Sequence, residues 1–232
     1  MIGRRDVLLG AAGATVGAMA LGGCALFETN ASYRFRMTVH ALTPAGLRSA
    51  STVLQVNAMK GVKLLPEEHP GGVGIAGEAV VLDFPQGPVF ALLTIGDAKQ
   101  LLPTQVTKAL DPAVNTADAA SFVAAVKRLG GRSANAKAEL TRDDWPMMVR
   151  FGDLKDPASV EQVDPDAIGV KRILLETTRD QVTKGIEKRM PPWFMQLVKR
   201  KASLSGSTSL TISTNDLADK LSPGSFSTEI WR

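Results

Sequence analysis

The sequence predicts an α+β fold in which a mostly antiparallel sheet, built from hairpins, is covered by one or two helices. Three observations carry that expectation. Apolar and polar residues alternate through residues 33–41, Pro/Gly turn signals separate runs of β-branched and aliphatic residues, and strand-like segments outnumber helical ones in no repeated unit.

Residues 26–32 read as a tether, and the first strand follows. Tyr33, Phe35, Met37 and Val39 fall on one face and Arg34, Arg36, Thr38 and His40 on the other, the period of a half-buried strand. Thr43-Pro44-Ala45-Gly46 is a turn signal, and the β-branched run 51–56 returns as the second arm of a hairpin. Residues 61–77 read as a Gly/Pro-rich loop. Within it Gly72-Val73-Gly74-Ile75-Ala76-Gly77 matches the dinucleotide-binding glycine pattern in form only, because that fingerprint needs a strand before it and a helix after it.

Residues 78–84 and 89–93 form a second hairpin across Pro85-Gln86-Gly87-Pro88; both arms are continuously apolar, as a central, well-covered pair would be. Residues 116–129 predict a helix capped by Thr116 and ended by Gly130-Gly131. Residues 147–151 follow Trp145-Pro146 as a short strand, 155–166 are turn-like, and 172–177 are a strand. A helix over 180–190 is stopped by Pro191-Pro192, with one more helical turn at 193–199. Strands at 209–213 and 226–231 flank a short helix at 216–221.

This describes one domain over residues 33–232, preceded by a segment of another kind. Residues 1–6 are short and basic, with Arg4-Arg5; an apolar, Gly/Ala-rich stretch of about 15 residues follows, too short to span a bilayer but suited to an export signal. It ends in Leu21-Gly22-Gly23-Cys24, which resembles the bacterial lipobox. That resemblance implies cleavage between Gly23 and Cys24 and acylation of Cys24, with residues 1–23 as signal peptide and 24–32 as lipidated tether. It also accounts for a lone cysteine in an exported chain, where no disulfide partner exists. Arg4-Arg5 before a modestly hydrophobic stretch resembles a twin-arginine signal, with the general secretory route as the alternative. Ala25 is not the aspartate that marks inner-membrane retention in enteric bacteria, so the outer membrane is the expected destination. The implied partner is membrane lipid through acylated Cys24, with the domain facing the periplasm.

The blocks at residues 33–39, 43–46, 51–56, 77–80 and 90–93, and again at 145–151, 156–165 and 183–193, are similar to an uncharacterised proteobacterial family with no assigned activity. The resemblance implies a shared fold and no chemistry. Met190-Pro191-Pro192-Trp193 departs from the Leu-Pro-Trp expected there, as does the lipoprotein signal.

Composition narrows function by exclusion. A formal charge of +4 without a Lys/Arg block interleaved with aromatics gives no nucleic-acid surface. The most basic stretch, Lys199-Arg200-Lys201 after Lys188-Arg189, reads as a solvated face, with anionic headgroups as the other reading. His40 and His69 lack ligand spacing, so no metal or cofactor is expected. Glu67-Glu68, Asp143-Asp144 and Asp164/Asp166 are the acidic clusters a hydrolase would need, yet turn and cap roles explain Asp143, Asp164 and Asp166. The serines of 203–213 contain no Gly-x-Ser-x-Gly elbow. No catalytic residue is assigned. Trp145, Trp193 and Phe194 are either core anchors or parts of a surface for an envelope protein partner. The sequence therefore favours a non-enzymatic binding or scaffold lipoprotein, with a carboxylate-based envelope hydrolase as the alternative and cargo binding in an apolar cavity as a third reading.

Overall fold

A computed structural model describes residues 27–44, 46–61, 71–95, 100–208 and 216–231. The export signal with Arg4, Arg5, Gly23 and Cys24, the cluster Glu67-Glu68-His69, and the strand expected at 209–213 lie outside the described residues. The described chain forms two antiparallel sheets with helices, the α+β class the alternation predicts.

The first sheet has the order β3-β2-β1-β10-β7. Its centre is the hairpin of β1 (Phe27–Thr43) and β2 (Gly46–Gly61), paired without interruption from Thr29↔Lys60 to Thr43↔Gly46. Tyr33, Phe35, Met37, Val39 and Ala41 are buried, while Arg34, Arg36, Thr38 and His40 face outward. β1 begins at Phe27, so most of the expected tether is strand. Polar Glu28-Thr29-Asn30 hides this in the sequence, and backbone pairing to β2 carries the strand through it.

Residues 71–76, expected as loop, are the edge strand β3 (Gly71–Ala76), bonded to β2 from Gln55↔Ala76 to Lys60↔Gly71. The glycine run is therefore sheet backbone and not a phosphate cradle. On the other side lie β10 (Val170–Thr178) and β7 (Lys137–Glu139).

The second sheet has the order β4-β5-β8-β9, with the two-residue β6 (Gln100–Leu101) also on β5. β4 (Val80–Phe84) and β5 (Gly87–Ile95) form the expected hairpin; β8 (Pro146–Phe151) and β9 (Val160–Gln162) complete the row. β5 is covered on both faces, as its unbroken apolar run demands. Val89, Ala91, Leu93 and Ile95 enter a core shared with the first sheet, and Phe90 and Leu92 enter a second core on the other face.

The first core also takes one face each of α1 (Leu102–Leu110) and α2 (Ala119–Leu129). Helix α1 has no counterpart among the elements the sequence predicts; its start is set by Pro103 in the first turn. α2 begins later than expected. Asp118, not Thr116, accepts from the amides of Ala120 and Ser121 at 3.4 and 2.8 Å, because Asn115 already turns the chain by accepting from Ala117 at 3.1 Å. Gly130 ends the helix where a Cβ would sit 2.4 Å from the Ser32 carbonyl oxygen, so only glycine permits this approach of helix to strand.

Thr107 ties α1 to β1. Its hydroxyl donates to the Pro103 carbonyl at 2.7 Å, which leaves its oxygen to accept from the Tyr33 hydroxyl at 2.9 Å. Burial holds the Tyr33 phenol well above its ordinary pKa of 10.0. Tyr33→Phe should cost about 1 kcal/mol of unfolding free energy by urea titration, the net worth of one buried hydrogen bond.

The second core is roofed by α3 (Trp193–Arg200), α4 (Leu217–Lys220) and α5 (Pro223–Phe226). The chain has only twelve aromatic residues by type (eight Phe, three Trp, one Tyr), and five of them meet here: Phe90, Phe151, Trp193, Phe194 and Phe226.

Two further expectations fail in this layer. The helix expected over 180–190 is absent apart from a 3-10 turn at Ile186–Lys188, because tertiary bonds claim its backbone. Thr183 exchanges bonds with the Val53 backbone, Arg34 takes the carbonyls of Arg179 and Asp180, and Gly185 has φ +118°. The strand expected over 226–231 is replaced by the end of α5, a single bridge of Ser227 to Glu78, and a 3-10 turn at Glu229–Trp231.

Candidate functional site

The two candidate surface tryptophans lie apart, Trp145 buried and Trp193 half-buried. Trp145 belongs to the first core, its indole N–H donating to the Leu140 carbonyl at 3.0 Å and its ring covered by the Arg142 guanidinium at 4.4 Å. Trp193 is half-buried in the second core and donates to the Leu154 carbonyl at 2.9 Å, while Phe194 is fully buried beside it. Trp145 and Phe194 are buried in different cores, and half-buried Trp193 packs against the second, so the three do not lie together on one exposed face.

The acidic clusters are likewise occupied. Asp164 and Asp166 both accept from Arg142, at 3.1 and 2.8 Å, and Asp144 accepts from the Thr141 hydroxyl. His40 meets the Ser49 hydroxyl at 2.7 Å on the open outer face of the first sheet, opposite Arg172 on β10, with no carboxylate paired to it there to orient the ring. Lys199 and Arg200 occupy the last turn of α3, where they complement the helix C-terminus. Among the described residues no three His, Cys, Asp or Glu side chains converge to hold a metal, and no helix is long and apolar enough to cross a membrane.

Two buried carboxylates, Glu78 and Glu229, lie outside the sequence candidates, and the first of them joins distant segments. Glu78, between β3 and β4, accepts from the amides of Gly185 and Ile186 at 2.8 and 3.0 Å and from the Ser227 hydroxyl at 3.3 Å. It thereby ties three segments far apart in sequence. Burial raises its pKa above 4.5, against the lowering effect of its amide donors. The native state thus holds this proton more tightly than the unfolded chain does. Glu78's contribution to stability is greatest below its unfolded pKa and declines as pH rises through the folded one. Glu78→Gln should remove that component, so the difference in urea midpoint between the two proteins will change as pH rises above the ordinary value of 4.5; a constant difference would contradict this.

A groove lies at one end of the molecule, where three turns converge. Leu42, Thr43 and Pro44 from the β1–β2 hairpin, Phe84, Pro85 and Gln86 from the β4–β5 hairpin, and the 166–169 turn line a groove of about 540 Å³. A bond from the Leu42 amide to the Gly169 carbonyl, 2.8 Å, fixes two of these turns together. Its surface is largely apolar, and Leu42 remains 55% exposed.

Arg48 stands at the back of this groove and also lines a second one of about 300 Å³ between β2 and β4. It pairs with Ala41, a core residue, so it occupies an inward register position at the open edge of the sheet sandwich. Its Nη1 donates to the Asp83 carbonyl at 3.0 Å; its Nε is buried and has no hydrogen-bond partner among the described residues. The other charges here are matched: Arg150 with Glu161 at 2.5 Å, Asp166 with Arg142, and Asp83 with Arg189. Arg48 is the groove cation that no carboxylate neutralises among the described residues.

Sequence reading missed Arg48 because it assigned only 51–56 to β2. With the strand extended back to Gly46, alternation puts position 48 on the apolar face, and a charge there is the signal. No protein-family model, no curated protein and no solved structure matches this chain.

Proposed function

We propose that this chain is a lipid-anchored, periplasm-facing lipoprotein of the bacterial cell envelope that serves as a binding module rather than as an enzyme, held through Cys24 and resident in the outer membrane. Residues 1–24 carry the anchoring part of the reading. The binding part is carried by the groove at the hairpin ends, apolar in lining and backed by an arginine without a counter-charge among the described residues.

The arrangement has a direction. β1 starts three residues after Cys24 and runs for 17 residues, so at about 3.3 Å per residue its far end lies roughly 50 Å from its start. The groove is at that far end. An anchored molecule would hold it away from its own bilayer, available to something in the periplasm. Two or more acyl chains on Cys24, at about 0.8 kcal/mol per buried methylene, would make the attachment effectively permanent.

The anchor is tested by labelling cells with radioactive palmitate. Wild-type protein should carry label and sediment with membranes, and Cys24→Ser should carry none. Label that persists in the variant would end the lipoprotein reading.

A further inference from the structure

The geometry points to an anionic amphiphile as the occupant of the groove: an acyl chain ending in a carboxylate or phosphate, with the acid on Arg48 and the chain along Leu42, Pro44, Phe84, Pro85 and Ile168. This rests on the binding-module reading and gives it a ligand class.

Three observations converge on that chemistry. First, an arginine on the inward face of a strand is costly unless its donors are used, and here a buried Nε–H is left unused while the guanidinium spends Nη1 on a neutral carbonyl. An acidic oxygen at the terminal nitrogens would meet the charge that the neutral carbonyl leaves uncompensated. Second, every other charged side chain lining the groove already has an opposite charge, so among the described residues an incoming anion meets one free cation and no free carboxylate. Third, the remaining walls are apolar residues from three turns, among them half-exposed Leu42 and partly covered Phe84 and Ile168. Water cannot satisfy both a charged end and an apolar trough, whereas a molecule with an acid at one end can. A purely apolar ligand would leave Arg48 unpaired, and a small inorganic anion would leave the trough wet.

The volume suits a single chain: about 540 Å³ lies within the ordinary range of small-ligand sites, about 300–1,000 Å³. The narrower slot beyond Arg48, between β2 and β4, gives the acid room on the inner side.

The test is a calorimetric titration of the full chain, in phosphatidylcholine nanodiscs where it is acylated and in plain buffer where it is not, with empty nanodiscs subtracted. The probes are dodecanoate, dodecyl phosphate and glyceryl monododecanoate, which share a chain and differ in the head. Saturable binding of either acid, with the neutral ester weaker by roughly tenfold or more, is the expected result, since a charge-assisted hydrogen bond is worth that much. The preferred acid identifies the head as carboxylate or phosphate. Arg48→Met should lose the same factor while keeping or raising Tm, because it removes an uncompensated buried donor. Leu42→Asp should weaken both acids without unfolding the protein, since Leu42 is already exposed. Equal affinity for ester and acids, or unchanged acid binding by Arg48→Met, overturns the proposal. So does failure of every probe to saturate. Loss of palmitate labelling bears only on the anchor, so the two readings fail separately.

Discussion

Phe226→Ala should lower the free energy of unfolding by roughly 4 kcal/mol, near the upper end for an aromatic truncated in a core. Phe226 is fully buried and central to the second core: its ring lies 5.4 Å from Phe90, 6.0 Å from Phe151 and 6.1 Å from Phe194, edge-on to the first and last. Aromatic pairs in such geometries contribute about 0.5–1.5 kcal/mol beyond their buried area, and truncation would break several at once. Its backbone matters too, since the Ala79 amide donates to the Phe226 carbonyl at 2.8 Å and so links the C-terminal layer to the segment just ahead of β4. Urea denaturation followed by tryptophan fluorescence measures the loss, because Trp193 packs against the same cluster. A loss under 1 kcal/mol would mean that the C-terminal helices are not packed on β5 and β8 as described.

Gly169→Ala should cost about 3 kcal/mol or more and deform the groove together with the fold. Gly169 has φ +78°, and a Cβ there would lie 2.2 Å from the Leu42 carbonyl oxygen, backbone that cannot move without shifting the hairpin end. Gly46 supplies the comparison. It also has positive φ, +105°, but a Cβ there meets nothing within 4 Å, so Gly46→Ala should show only the backbone strain, about 1 kcal/mol. Thermal melts of the two variants separate conformational strain from the close contact. Equal losses would remove the contact as the reason for glycine at 169.

What the sequence made legible follows from where side-chain burial decides structure. The alternation of 33–41 reads directly because one face of β1 meets the core and the other meets solvent, and the continuous apolar run of 89–93 reads as a doubly covered strand for the same reason. Polar Glu28-Thr29-Asn30 and the glycines of β3 carry no apolar alternation to read, and the pairing that makes both stretches strand comes from β2. Val182, Ile186 and Met190 are spaced like a helix face, yet Glu78, Arg34 and Val53 take the backbone groups that a helix would use. Those partners are about 100 residues or more away and leave no local trace.

The site divides the same way. Trp145, Trp193 and Phe194 were drawn out by residue type, and their environment shows anchors of two separate cores. Arg48 went unnoticed because its meaning depends on register: the same residue one position away would be an ordinary surface arginine.

The central claim, an anchored module that presents its groove away from its own membrane, can be measured by energy transfer to acceptor lipids. Acylation would consume the lone cysteine, so a single introduced thiol can be labelled cleanly. Met59, 40% exposed and paired with Asn30 near the start of β1, marks the anchored end, and exposed Gln86 marks the groove. With a donor dye on Met59→Cys or Gln86→Cys and the protein reconstituted through Cys24 in vesicles carrying a headgroup acceptor, transfer should be strong at 59 and weak at 86. Transfer at 86 equal to or stronger than that at 59 would contradict it.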